Sequence, residues 1–325
     1  MAAWLEVWMN AHAIELKPST VKTYRDKIRL YLVPAIGHER LQSLSPSRLS
    51  IVWRDLHQGG GKGGKPVSPR TVEFARAVLR KAMEDAVVER LIQVNPVVGS
   101  KMPKRDGKPK HTTWTGAQLG AFLEHIADHR WRPLWQLAAS TGMRRGELAG
   151  LTWARVDLDA ATVAVETSTT QLGSQRVTTT PKNHERRTIA IDGHMVTTLR
   201  AWRTQQAAER LAMGPAYGDA EGLVFTWEDG RPVMPDYITK AFESLQVSLR
   251  RRLEAAGEQT LPRLVVHELR HTHATLLLRD GVPAHIVAKR LGHKDPSVTL
   301  NVYADVIPDD DTSAVDIFSR AVWGA

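Results

Sequence analysis

Arg144 in TGMRRGEL, Lys182 in TTPKNHERRTI, His267 and Arg270 in HELRHTH, His293 in LGH and Tyr303 in TLNVYAD are the side-chain types that phosphodiester transfer through a tyrosyl ester requires. An arginine fork can hold two non-bridging phosphate oxygens bidentately and offset the charge that builds on phosphorus. A flexible ammonium is a competent general acid once nearby cations lower its pKa. Taken singly, each residue has a plainer reading. Arg144 can pair with Glu147 three residues on, Lys182 can be a solvated loop lysine, His293 a satisfied half-buried histidine and Tyr303 a packing residue. HELRH also matches HExxH, the helical zinc-protease pattern, at His267-Glu268-Leu269-Arg270-His271. The longer version of that pattern fails, with Ala274 where its glycine would stand, and an inward-facing Arg270 would repel a dication, so no metal is expected.

Caps and periodicity show which elements must position these groups. Thr141 and Gly142 end a helix near 131–140, itself preceded by one near 115–128. Arg144 opens the next, through Glu147 and Leu148 to Leu151, where backbone N–H groups already favour an anion. Residues 161–191 read as the strands ATVAVET and RRTIAI with a polar stretch between them, placing Lys182 in the connection before the last strand. RLVVHELRHTHATLLLRDG, from 263, predicts a helix ending near Gly281 with His267, Arg270 and His271 on one side. GVPAHIVAKRLGH adds a short helix closed by Gly292. Asp295 and Pro296 open another, SVTLNVYADV, which carries Tyr303 and is closed by Pro308.

The front of the chain is helical throughout. Residues 4–14 suit a helix, and Ser19 is read as the cap of a second, in which Val21, Tyr24, Ile28 and Leu32 recur at helical spacing. Ser45 before Pro46 and Ser68 before Pro69 open helices near 46–57 and 69–92, the last stopped by Asn95 and Pro96. Between them GGGKGGKP at 59–66 is a flexible basic loop holding Lys62 and Lys65. SKMPKRDGKPKHTT, at 100–113, sets Lys101, Lys104, Arg105, Lys108 and Lys110 against a lone Asp106 and is a linker by composition. The expected organisation is a four-helix domain over 1–98, a basic linker over 99–112, and a mixed α/β domain over 113–325 ending in an apolar tail helix with Val315, Ile317, Phe318 and Trp323. The fold class is mainly α with a small β-sheet.

Composition agrees with two cores: 325 residues at 42% hydrophobic. The net charge of +9 is unevenly spread, with 20 Lys and Arg against 10 Asp and Glu in residues 1–112 and 24 against 25 in the remainder. A polyanion, most simply nucleic acid, accounts for a basic excess confined to the front, and the lysines and arginine of the loop and linker are the candidates for backbone contact. The absence of cysteine excludes disulfides, thiolate catalysis and Cys-ligated zinc. MAAWLEVWMNAHAIEL lacks the pattern of a secretory signal and no span reaches transmembrane length, so a cytoplasmic location without membrane contact is expected.

TGMRRGELAGLTW, TPKNHERRTI, HELRHTHAT and KRLGHKDPSVTLNVYAD, in that order, closely resemble the tyrosine recombinases, in particular the integrases of phages and integrative elements. The resemblance runs from about 113 to 310, and the helical front is similar to the family's core-binding domain. It implies a C-shaped clamp on double-stranded DNA at attachment or core sites. It further implies that Arg144 and Arg270 grip the scissile phosphate, Lys182 protonates the leaving 5′ oxygen, His267 takes the proton of Tyr303, and His293 hydrogen-bonds a phosphate oxygen. Tyr303 would attack phosphorus to leave a 3′-phosphotyrosyl enzyme and a free 5′ hydroxyl, with no metal, ATP or other cofactor. Glu147 is implied as a buried structural acid, while His271 and His273 are read as packing or supporting residues. A homo-tetramer joined through the tail and an accessory directionality factor are the implied partners. A small arm-binding domain ahead of the first core helix is not expected in this sequence. Three other readings remain: a resolvase-type tyrosine recombinase, a non-catalytic DNA-binding regulator and, more remotely, a zinc peptidase acting through HELRH.

Overall fold

The computed structural model describes residues 1–104, 112–179, 186–218, 221–293, 295–303 and 319–323. The chain divides into two compact units, Met1–Pro109 and Lys110–Ala325. The first is built from α1 (Ala2–His12), α2 (Pro18–Lys27), α3 (Val33–Ile36), α4 (Pro46–Gly59) and α5 (Pro69–Val88). Ser45 and Ser68 accept the backbone N–H groups of Arg48 and Thr71, capping α4 and α5 as their sequences predict. Ser19 does not cap α2. Lys17 takes that position and Pro18 enters the first turn, where a fixed φ is an advantage and the missing N–H costs nothing. Between α2 and α3 the helix widens into a π turn over Ile28–Leu32, just before Pro34, whose ring would clash with the carbonyl four residues back in a regular helix. α5 stops short of the expected residue 92. Arg90 adopts φ 59°, and the N–H of Leu91 closes on the carbonyl of Ala86 at 2.9 Å, a left-handed helix end.

Indole N–H groups hold this unit's core in register. Trp4 and Trp8 on α1 donate to the Ala82 carbonyl (3.1 Å) and the Asp85 carboxylate (2.7 Å) of α5. Trp53, fully buried among Leu49, Val72 and Leu79, donates to Ser100 at 3.0 Å. Trp8 and Trp53 thus bury their apolar bodies, and Trp4 does so in part, while the indole donor of each is satisfied.

The second unit begins with α6 (Gly116–His125), α7 (Arg132–Thr141) and α8 (Arg145–Ala149). The strands β1 (Val156–Asp157), β2 (Thr162–Val165), β3 (Ser168–Leu172), β4 (Gln175–Thr179) and β5 (Arg187–Ala190) follow. The unit continues with α9 (Gly193–Met213), α10 (Pro235–Ala255), α11 (Val266–Arg279), α12 (Ala284–Leu291) and α13 (Pro296–Tyr303). β1, β2 and β5 form an antiparallel sheet in which Val163 pairs with Ile189. Alternation sends Val163, Val165 and Ile189 into the core. The polar stretch expected only to connect two strands is itself a hairpin, β3–β4, turning at Gly173 with φ 64°. Arg176 Nη2 fastens it to α8 by donating to the Ala149 carbonyl at 3.0 Å. Trp114, Phe122, Trp135 and Phe242 pack ring on ring in the core beneath, 5.2–5.9 Å between centroids.

The β1–β2 connection carries a strained residue. Asp157 caps the turn by accepting the N–H groups of Asp159 and Ala160, after which Ala161 takes φ 51°. A side chain pays for that conformation where glycine does not, so Ala161→Gly is expected to raise the stability of the second unit by about 0.5 kcal/mol after the entropy of the freer unfolded chain is deducted. The urea midpoint reads this directly, and a lower midpoint would show the turn to be unstrained.

Candidate active site

The site is assembled where α7, α8, α11, α12 and β5 meet. α7 ends at Gly142 in the left-handed conformation, φ 63°, a turn that any side chain would obstruct because a Cβ there would lie 2.7 Å from Leu291 Cδ2. The chain is thereby redirected so that Arg144 becomes the N-cap residue of α8. Its plainer reading is also correct: Arg144 Nη1 donates to Glu147 Oε1, and its backbone N–H donates to Oε2, both at 2.8 Å. A quarter of the Arg144 side chain remains exposed, 25%, whereas Glu147 has none.

The same carboxylate receives a second fork. Arg187, first residue of β5, donates Nη1 to Glu147 Oε1 at 3.1 Å and Nη2 to Oε2 at 2.7 Å. Burial alone would raise the Glu147 carboxyl, but the hydrogen bonds and charges of Arg187 and Arg144 outweigh it and hold the group below the usual carboxylate range. Sequence reading did not single out Arg187. Its signal was strand parity, since it shares the inward phase of the buried Ile189.

Arg270 lies on α11 with 2% of its surface exposed. It donates to the carbonyls of Gly142 (2.9 Å) and Leu291 (2.5 Å), tying the ends of α7 and α12 together. Burial, then the charges of Arg144 and Arg187, push its pKa down to about 9, opposed by Glu147 and Tyr303. The guanidinium is still charged at neutral pH. A cation in so costly a place is poised to gain from an arriving anion.

Tyr303, 2% exposed, packs with Ala274, Leu278, Val287 and Leu291. Burial pushes its phenol up to about 12, with the Arg270 charge pulling the other way. The resemblance implies that its proton passes to His267. In the structure the hydroxyl shares a hydrogen bond of 2.5 Å with His271 Nδ1, one turn further along α11. His267 stands edge-on to His271, 5.1 Å between ring centroids. The helical spacing of His267 and His271 is the signal that both rings serve one place.

His293 follows Gly292, which closes α12 at φ 68°. Its Nδ1 is 2.7 Å from the Thr299 hydroxyl, in a hydrogen bond that fixes the ring. Burial and then Arg270, Arg144 and Arg187 lower its pKa to about 4. His273, set into the core with Nε2 accepting from Arg290 Nε at 3.0 Å, is also lowered to about 4, by burial first and then Arg290. Both folded-state values lie below the ordinary 6.5, so on acidification the unfolded chain binds protons first. Stability is full above pH 6.5 and is lost as the pH falls through 4. The urea midpoint of the second unit is therefore expected to fall between pH 6.5 and 4.5, a window in which Glu147 and Glu209, whose pKa values are lowered, stay charged. A flat midpoint across that window would contradict neutral burial of the two histidines.

Lys182, Arg105, Lys108 and Lys110 lie outside the described residues. Lys62, Lys65, Lys101 and Lys104 are exposed in the first unit. The role that a peptidase reading gives to Glu268 is taken by another contact. Glu268, which a zinc enzyme would use as its base, instead caps α11 by accepting the Val265 N–H at 2.7 Å. Among the described residues no three His, Cys, Asp or Glu side chains converge as a metal site would need. Nor is any described helix long and apolar enough to cross a membrane.

A helical unit followed by this mixed catalytic unit is the fold of the tyrosine recombinases. The structure superposes on the Tn1549 transposon integrase bound to transposon right-end DNA with a TM-score of 0.78 at 19% identity, covering 97% of this chain and 99% of that one. It superposes on a lambda integrase in a tetramer bound to a Holliday junction with a TM-score of 0.62 at 17% identity, over 91% and 77% of the two chains. In sequence, residues 114–309 match the phage integrase family and residues 1–50 its N-terminal SAM-like domain. The chain belongs to the phage integrase family, the site-specific recombinases that cleave and rejoin DNA strands. Among its relatives are a XerC-like tyrosine recombinase of Caldanaerobacter subterraneus, 28% identical over 92% of this chain and 77% of the relative. The ICEBs1 integrase of Bacillus subtilis is 22% identical over 96% of this chain and 80% of its own length.

Proposed function

We propose that this recombinase integrates and excises a mobile element such as a phage genome, and that Tyr303 is its nucleophile. The observation that carries the reading is one cluster holding a buried phenol hydrogen-bonded to His271, with the Arg270 charge acting on that phenol and the Arg144 charge acting on Arg270. The phenolic oxygen attacks phosphorus while Arg144 and Arg270 hold the non-bridging oxygens and His293 donates to one of them. The phenol's proton passes to the adjoining His271–His267 pair. The bond from phosphorus to the 5′ oxygen breaks, and Lys182 supplies that oxygen with a proton. A 5′ hydroxyl from the partner strand then reverses these steps and regenerates the tyrosine, so bond energy is kept in the ester.

Domains are proposed over 1–98 and 113–325 with a basic linker at 99–112 between them. Lys62, Lys65, Lys101, Lys104, Arg105, Lys108 and Lys110 are assigned to phosphate contacts, which position the duplex without reading its sequence. A tetramer joined through the C-terminal tail is supported by the short helix at 319–323, where Trp323 is 73% exposed. An accessory directionality factor completes the scheme. The polarity of the cut tests the chemistry: the strand released from a nicked duplex should carry a 5′ hydroxyl that a kinase phosphorylates without prior phosphatase treatment. A 5′ phosphate on that strand would refute it.

A further inference from the structure

Resting on the reading above, we propose that Arg187 is a positioning residue that neutralises Glu147 and so leaves the charge and aim of Arg144 available to the scissile phosphate. Three elements of the site converge on its side chain, which is only 6% exposed. The guanidinium edge meets both oxygens of Glu147 on α8. Its Nε donates to the Arg290 carbonyl near the end of α12 at 3.0 Å. Its Cδ and Nη1 lie where a Cβ on Gly292 would be 3.0 and 3.2 Å away, so the turn that presents His293 is seated against it. The same residue opens β5, five positions after Lys182.

Charge decides what this does. Arg144 and Glu147 alone would sum to zero, and a fully buried carboxylate facing one guanidinium would draw it inward and compete with the phosphate. Adding Arg187 leaves the trio at +1. Because Glu147 and Arg187 are buried and Arg144 is partly exposed, the surplus charge emerges at Arg144. The fork-to-fork geometry also fixes the plane of the carboxylate, and through it the direction of the Arg144 side chain.

The test uses the full chain and a nicked duplex captured by the wild-type enzyme from a randomised pool, and measures covalent adduct formation in single turnover. Arg187→Met is expected to slow adduct formation at saturating DNA by about a hundredfold, the scale of one lost electrostatic contact to the reacting phosphate, with the half-saturating DNA concentration nearly unchanged because affinity is spread over many phosphates. Arg187→Lys should recover part of the rate, since it restores the charge without the fork. The decisive variant is Arg187→Met combined with Glu147→Gln. With no carboxylate left to neutralise, it should form adduct at least about tenfold faster than Arg187→Met alone, by the same electrostatic scale. A merely structural role predicts the double variant to be no faster, and that result, or a wild-type rate in Arg187→Met, overturns the inference. Circular dichroism establishes that each variant is folded, and if Arg187→Met is not, the comparison of Arg187→Lys and the double variant with wild type decides. Failure of the wild type itself to form an adduct would instead overturn the function on which the inference rests.

Discussion

Replacing Tyr303 by phenylalanine is expected to abolish covalent DNA capture while leaving DNA binding intact. The hydroxyl is the only atom removed, and it is the atom proposed to form the ester, so no residual pathway through this site remains. The cost to folding is small. The phenol gives up one hydrogen bond, to His271, and its ring keeps its contacts with Leu278, Val287 and Leu291, so stability should change by about 1 kcal/mol or less. The other tyrosines, Tyr24, Tyr31, Tyr217 and Tyr237, offer no substitute, since Tyr217 and Tyr237 spend their hydroxyls on Thr226 and Trp131 and Tyr24 and Tyr31 pack against the core of the first unit. An adduct of undiminished yield in Tyr303→Phe would place the nucleophile elsewhere.

The largest effect on stability is expected at Glu147. In Glu147→Ala the Arg187 guanidinium, 6% exposed, and the partly exposed Arg144 lose the one carboxylate they share. Breaking a buried pair by removing one partner typically costs about 3–5 kcal/mol, and the exposure of Arg144 puts this case at the lower end. Adduct formation should fail with it, because the side chain that aims Arg144 is gone. Urea denaturation of the second unit reads the first effect. A loss below about 1 kcal/mol would mean that solvent reaches the pair and replaces the carboxylate, against the burial described.

Much of the scaffold can be read in the letters because local rules decide it. Ser45-Pro46 and Ser68-Pro69 are caps whose chemistry is complete within four residues, and Gly142 and Gly292 mark left-handed turns that few other residues adopt. Where two local signals compete, or tertiary packing decides, the sequence misleads. Ser19 has the chemistry of a cap, but Pro18 takes the first turn. The hairpin β3–β4 is rich in threonine and glutamine and has no apolar alternation, so only Gly173-Ser174 betrays it. α9 and α10 carry no motif at all, and their role is to supply Trp202, Phe242 and Leu249 to the core.

The site divides along the same line. Arg144, Arg270, His293 and Tyr303 stand next to short, recognisable turns and helices, and the structure brings their electrostatics together. The partner of Tyr303 is a different matter. His267 and His271 are one helical turn apart, and only the placement of α13 against α11 selects His271 for the hydrogen bond. Arg187 was hidden by its neighbour Arg186, since a pair of arginines reads as surface charge until strand parity is applied.

Mapping the covalent linkage itself tests most directly whether Tyr303 is the nucleophile. The wild-type chain is incubated with nicked duplexes in chelator, digested with protease, and the peptide that retains nucleotide is identified by mass spectrometry. The expected product is a nucleotide attached through phosphate to Tyr303, formed without any divalent ion. A linkage at another residue, or none on DNA that the protein demonstrably binds, would contradict it.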